Sequence, residues 1–306
     1  MDKKIIIFGA GEIGKKVLQE YGSDNVAFFL DNSDSKRGTF FCEKKIINFE
    51  EYLKIAENYQ TVIAANHLDS MEAQLRKNGI VNYVIAPYSY NHMNVPKSNR
   101  CNHLEWPKYL KELCDFEGKE ILEVGSRIVT GANFRNLFER ANYTGFDYYE
   151  GPNVDVVGDA HKLSTYFDKK FDLVFSSAVM EHLAMPWIAS MEMIKLLKPG
   201  GYIFCETHYS YASHERPWHF FQFSEQALKV LFPKAAGITC VEAGVSNLLE
   251  GRFTKYSNEY LIGNRVPGLY CHSEFLGRKV QEINDFSWEQ LELEDIVGES
   301  KYPPKK

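Results

Sequence analysis

The sequence predicts an α/β protein of two parallel-sheet domains in tandem. Short apolar runs alternate with helix-length amphipathic stretches in both halves, and a glycine-containing turn follows the first apolar run of each half. A stretch rich in Tyr, Asn, His, Pro and Ser separates the two series. The chain's 306 residues are enough for two hydrophobic cores.

The first series opens with an apolar strand over 3–8, the turn Gly9 to Gly14 and an amphipathic stretch from Lys15 to Tyr21. A second apolar run, Val26 to Leu30, ends at Asp31-Asn32. A helix is expected over Phe49 to Asn58, a strand over Thr61 to Ala65, a helix over Ser70 to Asn78 and a strand over Val81 to Ala86. Pro87 to Cys101 reads as a connector, and Trp106 to Phe116 as a short helix before the second sheet. The second βα series runs from about Glu120 to Glu206. A His- and aromatic-rich segment (His208 to Phe223), a helix (Ser224 to Leu231) and strands around Thr239 to Ala243 and Asn258 to Gly263 follow. The acidic stretch from Glu289, ending Tyr302-Pro303-Pro304-Lys305-Lys306, reads as a tail. The expected boundaries are a small domain over 1–87, a connector and helix over 88–117, a second domain over 118–290 and a flexible tail over 291–306.

A net charge of −6 gives no general attraction to a phosphate backbone, so nucleic acid is not expected as the partner. The apolar run from Ile5 to Ala10 is too short for the core of a signal peptide, and no stretch reaches the roughly 20 apolar residues of a spanning helix. A soluble, cytoplasmic protein is expected. Six cysteines are scattered without a C-x-x-C pair, as befits reduced thiols rather than a zinc site.

Gly9, Gly11 and Gly14 have the G-x-G-x-x-G spacing after a strand and before a helix, the context of a Rossmann-like nucleotide turn. Asp31, at the end of the second strand, stands where a ribose-binding acid would. Three readings stay open for this turn: a nucleotide or nucleotide-sugar site, a dinucleotide site, and helix–strand packing alone. Together with Phe29-Leu30-Asp31-Asn32, Lys36-Arg37-Gly38 and Gly79-Ile80, the segment resembles small Rossmann-like domains at the front of bacterial glycan-modifying proteins, nucleotide-sugar-binding sugar acyltransferases among them.

The second turn, Glu120-Ile121-Leu122-Glu123-Val124-Gly125-Ser126-Arg127, heads an ordered series. It continues with Gly145-Phe146-Asp147, Val157-Gly158-Asp159-Ala160, Phe171-Asp172-Leu173-Val174-Phe175-Ser176 and Leu197-Lys198-Pro199-Gly200-Gly201. Over about residues 118–207 this resembles class I S-adenosylmethionine-dependent methyltransferases. The resemblance implies a Rossmann-like second domain with S-adenosyl-L-methionine as cofactor. It places Glu123, Gly125 and Ser126 at the cofactor's amino-acid part, Asp147 at its ribose, Asp159 and Ala160 at its adenine, and Ser176 at the inner edge. Bland roles stay open beside these: a turn residue for Asp147 and a helix N-cap for Asp159. One departure is plain: Ser126-Arg127 stand where the family carries a further glycine, which puts a side chain beside the cofactor.

Methyl transfer to an alcohol or amine benefits from a base near neutral pKa. His208 and His182 are the candidate bases and His219 a candidate acceptor contact, with Tyr209, Arg216 and Trp218 available to hold a polar or sugar-like acceptor. Glu206, His208, His214 and His219 are metal-ligand types but lack H-x-x-x-H helix spacing, and no metal is expected. The resulting expectation is O-methylation of a saccharide or nucleotide-linked saccharide in bacterial surface glycan synthesis. Two alternatives compete with it: a nicotinamide-dependent oxidoreductase using Gly9 to Gly14, and a non-catalytic binding module.

Overall fold

The computed structural model describes residues 3–65, 68–86, 95–129, 131–262 and 265–291. The chain divides into two compact units, Met1–Asn94 with Leu249–Leu269, and Val95–Leu248 with Tyr270–Lys306. Both are α/β, each built on a mostly parallel sheet.

The first unit contains β1 (Ile5–Phe8), α1 (Glu12–Tyr21), β2 (Val26–Leu30), β3 (Phe40–Phe41), β4 (Lys44–Ile47), α2 (Phe49–Leu53), β5 (Gln60–Ile63), α3 (Leu68–Lys77) and β6 (Tyr83–Ile85). Its strands run in the order β3-β4-β2-β1-β5-β6, all neighbours parallel except β3 with β4. All four residues of β1 are buried, as expected of a central parallel strand covered on both faces. Asn48 starts α2 with a reciprocal capping box: Glu51 N–H donates to Asn48 Oδ1 at 2.8 Å, and Asn48 N–H donates to Glu51 Oε2 at 3.0 Å.

The second unit contains α4 (Trp106–Cys114), β7 (Glu120–Val124), β8 (Asn142–Asp147), β9 (Val156–Val157), β10 (Phe171–Ser177), α5 (Pro186–Lys195), β11 (Leu197–His208), α6 (Glu225–Leu231) and the larger parts of β12 (Ile238–Arg252) and β13 (Arg265–Lys279), up to Leu248 and from Tyr270. The sheet order is β12-β13-β11-β10-β7-β8-β9. The strands from β11 to β9 are parallel, and β13 lies antiparallel to β11. Trp106 is buried at the start of α4, stacked on Phe204 with ring centroids 4.8 Å apart. Its bulk closes one face of the sheet, while Met193, Leu228 and Leu231 help fill the other.

Several expectations need correction. β3 and β4 were not anticipated: their two-residue turn is Cys42-Glu43, with φ of 48° and 64°, where glycine or asparagine would have signalled a hairpin. The helix expected over Phe49 to Asn58 ends at Leu53 and resumes only as a 3-10 turn at Ala56–Asn58. Within the expected strand Asn258 to Gly263, Glu259–Leu261 form a 3-10 turn; the strand comes later, as β13. The expected tail beyond residue 291 and the connector over 87–94 lie outside the described residues. No helix among the described residues is long and apolar enough to cross a membrane.

Candidate active site

In the second unit the carboxyl ends of β7, β8 and β10 lie side by side and carry Glu123, Gly125, Ser126, Asp147 and Ser176, whereas Asp159 and Ala160 follow β9. At the end of β7, Gly125 takes φ +88°, and a Cβ there would come within 2.1 Å of Val179 Cγ2. No other residue fits that backbone against that neighbour. Val179 is brought there because β10 ends at Ser177 and Ala178 reverses the chain with φ +54°. Ser126 is buried, its hydroxyl donating to the Asn153 carbonyl at 3.0 Å. Among the described residues no α-helix follows this turn, and the next regular element is a 3-10 turn, Phe134–Leu137.

Glu123 is 4 % exposed, and its contact with the Asn153 amide is long, at 3.4 Å. Burial pushes its carboxyl up to about 8, offset only in part by that amide and by the Arg135 charge. At neutral pH it is mostly an uncharged acid.

Asp147 closes β8. Its carboxylate accepts the Arg127 backbone N–H at 3.2 Å and the Tyr149 N–H at 3.0 Å, with Arg127 Nε at 3.4 Å. It therefore ties the glycine turn to β8 and keeps acceptor capacity on both oxygens. Asp159 caps the 3-10 segment Ala160–Tyr166, accepting His161 N–H at 2.9 Å and lying 2.7 Å from His161 Nδ1. The N-cap role is thus realised. Ala160 is buried behind it. Ser176, in β10, is fully buried and its hydroxyl has no partner; Asn133 Oδ1 is another enclosed polar atom without one.

Beyond β10 and β11 the histidines gather. Glu181, in the 3-10 turn Met180–His182, is completely buried, with Oε1 2.8 Å from His208 Nδ1. Those two atoms form a charge contact without hydrogen-bond alignment. The Thr207 hydroxyl donates to the other carboxylate oxygen at 2.6 Å. Burial alone would raise the Glu181 carboxyl; His208 and Thr207 outweigh it and hold it below its ordinary value. The His208 ring stacks on Tyr211 at 4.3 Å and has His214 edge-on at 5.4 Å. His182 lies 4.8 Å from His214, and its Nδ1 lies 2.8 Å from the Trp218 carbonyl. His219 is 4.6 Å from His214; partial burial, then the charges of His214 and His182, lower its pKa. All three predicted histidines therefore belong to one cluster around His214. Trp218, Tyr148 and Tyr211 stand at its margin, each more than half exposed, and Tyr148 lies 6.3 Å from Trp218.

Sequence reasoning passed over the support beneath this cluster. Glu206 is buried in β11 and accepts from Trp106 Nε1 at 3.0 Å and Ser177 Oγ at 2.9 Å, with His103 Nδ1 at 2.9 Å. Across the ladder on β13 stands Glu274, pushed up to about 7 by burial and held by Ser98 and Ser246. His272 is lowered to about 4 by burial and stacks on His103 at 4.0 Å. Partners so far apart in sequence (103 with 206, 98 with 274) carry no local signal.

In the first unit, close packing requires glycine at two of the three positions of the turn. A Cβ at Gly9 would lie 2.3 Å from the Ala64 carbonyl oxygen, and one at Gly14 would lie 2.0 Å from that of Gly9; Gly11 faces open space. Asp31 accepts the Ala10 N–H at 3.0 Å and pairs with Lys36 at 2.9 Å. Burial would raise its carboxyl, but Lys36, Ser33 and Ala10 together keep it low.

Residues 99–243 match a family described as a methyltransferase domain. No curated protein matches the chain. Similar solved structures include the YcgJ protein from Bacillus subtilis (14 % identity, 58 % of this chain and 100 % of that one, TM-score 0.41). An S-adenosylmethionine-dependent methyltransferase from Aquifex aeolicus gives 18 %, 57 %, 89 % and 0.37, and another from Archaeoglobus fulgidus 15 %, 56 %, 94 % and 0.38. Identity and superposition are both low, and nothing below rests on them.

Proposed function

We propose that this chain, an S-adenosylmethionine-dependent methyltransferase, transfers its methyl group to a hydroxyl of a small saccharide or nucleotide-linked saccharide. The observation that carries the reading is the enclosed Glu181–His208 pair at the strand ends, with exposed aromatic rings around it. A carboxylate beside an imidazole fixes the orientation of the ring, the arrangement a general base needs. Flat exposed rings such as Trp218 and Tyr148 offer stacking faces for the apolar side of a sugar.

The residues present fit the cofactor. Asp147 retains acceptor capacity for two ribose hydroxyls, and the unpartnered Ser176 hydroxyl and Asn133 carbonyl oxygen are enclosed polar atoms in want of a ligand. Gly125 and Ser126 would pass under the amino-acid part, and Asp159 with Ala160 would border the adenine. S-adenosylmethionine supplies an electrophilic methyl carbon on a sulfonium. His208 takes the acceptor hydroxyl's proton as the oxygen becomes a nucleophile, and Glu181 stabilises the imidazolium so formed. His182 and His219 line the acceptor side, and the aromatic rim aligns the hydroxyl and limits water. In the first domain the packing reading of Gly9, Gly14 and Asp31 is the one supported, and we assign it no ligand.

The test is to incubate the full chain with S-adenosylmethionine and free or nucleotide-linked hexoses, with simple phenols and amines as competitors. Mass spectrometry then follows S-adenosylhomocysteine and the methylated product. Methylated saccharide is the expected result. Turnover confined to phenols or amines would overturn the acceptor assignment.

A further inference from the structure

Glu181, His208 and His214 each offer one ligand atom, and these atoms lie within 4.8 Å of one another. We propose that they form a binding site for a divalent first-row transition-metal ion of the zinc class, in the same pocket as the acceptor. The consequence for chemistry rests on the methyltransferase reading; the binding itself does not.

Three features favour an ion over a mere histidine cluster. First, Glu181 Oε1 and His208 Nδ1 are enclosed and converge on one spot, 2.8 Å apart, in a charge contact without hydrogen-bond alignment and with no other partner for either atom. Second, the groups behind the ligands are set as metal sites require. The Thr207 hydroxyl fixes the far oxygen of Glu181 at 2.6 Å, and His214 Nδ1 donates to the Ala212 carbonyl at 2.9 Å, which leaves its Nε2 lone pair free. Third, two imidazoles and one carboxylate are three ligands of the kind zinc-class ions take, and three protein ligands leave a position open for an incoming oxygen. His182, whose Nδ1–H is spent on the Trp218 carbonyl, stands beside His214 with its Nε2 unengaged by that bond.

In a tetrahedral site, donors about 2.0–2.2 Å from the ion sit roughly 3.4 Å apart, so closure requires the widest pair to approach by up to about 1.4 Å and the Glu181–His208 pair to part by about 0.6 Å. Arriving from the half-buried His214 side, the ion would neutralise the Glu181 carboxylate. It would also acidify a hydroxyl bound at its open position, whose proton would pass to His182 Nε2 or to solvent, so that His208 as a ligand need not act as the base.

The experiment uses the full chain, stripped with a chelator and returned to metal-free buffer, with Co2+ as an optical probe and Zn2+ followed by calorimetry. One Co2+ per chain is expected, with the intense visible bands of a four- or five-coordinate ion, displaced by Zn2+. H214A, whose residue lies in a surface-side segment, and E181Q should each weaken binding by at least about tenfold to a hundredfold. Circular dichroism and thermal unfolding confirm that each variant is folded. Failure to take up Co2+, or a weak octahedral spectrum indifferent to both substitutions, would overturn the proposal. Neither acceptor nor methyl donor enters this measurement. A failed metal titration therefore leaves saccharide methylation standing, and a failed methylation assay leaves the metal site standing.

Discussion

Replacing Glu123 by glutamine should stabilise the protein, and by more as the pH rises. The Glu123 side chain is 4 % exposed at the end of β7 and is left with one long amide contact, so its carboxyl sits at about 8 against 4.5 for the free group. Between those values the folded chain holds a proton that the unfolded chain has released. Stability at this site is therefore greatest at acid pH, falls as pH rises above 4.5 and levels off only above 8. At 1.36 kcal/mol per pH unit, the gap corresponds to a cost of about 5 kcal/mol once the carboxyl is ionised, of which about 3 kcal/mol develops between pH 5.5 and 9. Glutamine keeps the shape, still accepts from Asn153 and carries no charge. The assay is urea denaturation of wild type and E123Q across that range, read by tryptophan fluorescence. Other titrating groups, Glu274 among them, are common to both proteins and cancel in the difference. A difference that stays constant with pH would refute the reasoning, because it would mean Glu123 is solvated or charge-paired in the folded state.

Three further outcomes follow from the site. D147N should weaken S-adenosylmethionine and S-adenosylhomocysteine binding by roughly tenfold to a hundredfold by calorimetry, since charge-assisted hydrogen bonds contribute about 1.5–3 kcal/mol. G125A should cost roughly 2–4 kcal/mol of stability and abolish cofactor binding, and V179A in the same chain should restore only part, because it relieves the 2.1 Å approach but not the backbone strain at φ +88°. H208Q, assayed with a chelator present, should lower kcat by about 10² to 10⁴ with cofactor affinity unchanged; E181Q should displace the pH profile of kcat, which a purely structural glutamate would not do.

The sequence by itself determined what repeats locally. Apolar runs bounded by turn residues placed the central strands of both parallel sheets, since a strand buried on both faces must be apolar throughout. Gly125, Asp147 and Ser176 could be assigned to strand ends because each closes or nearly closes such a run. Where the local signal was weak, the reading failed. Cys42-Glu43 turns a hairpin without glycine, and the strand expected within Asn258 to Gly263 gave way to a 3-10 turn ahead of a 15-residue strand.

Only the tertiary structure decided which polar groups meet. That Arg127 leans on Asp147, that Val179 forbids a side chain at Gly125, and that Glu181 lies under His208 depend on loops from different strands converging at one edge of the sheet. The Glu206 network depends on α4 returning to a strand a hundred residues later. Burial also set the charges. Glu123 and Glu181 are both carboxylates at about the same depth; one keeps its proton and the other loses it, because His208 and Thr207 meet the second and only an amide meets the first. Residue type fixes what a group can do, but desolvation and neighbours fix which protonation state it holds, and neighbours exist only once the chain has folded.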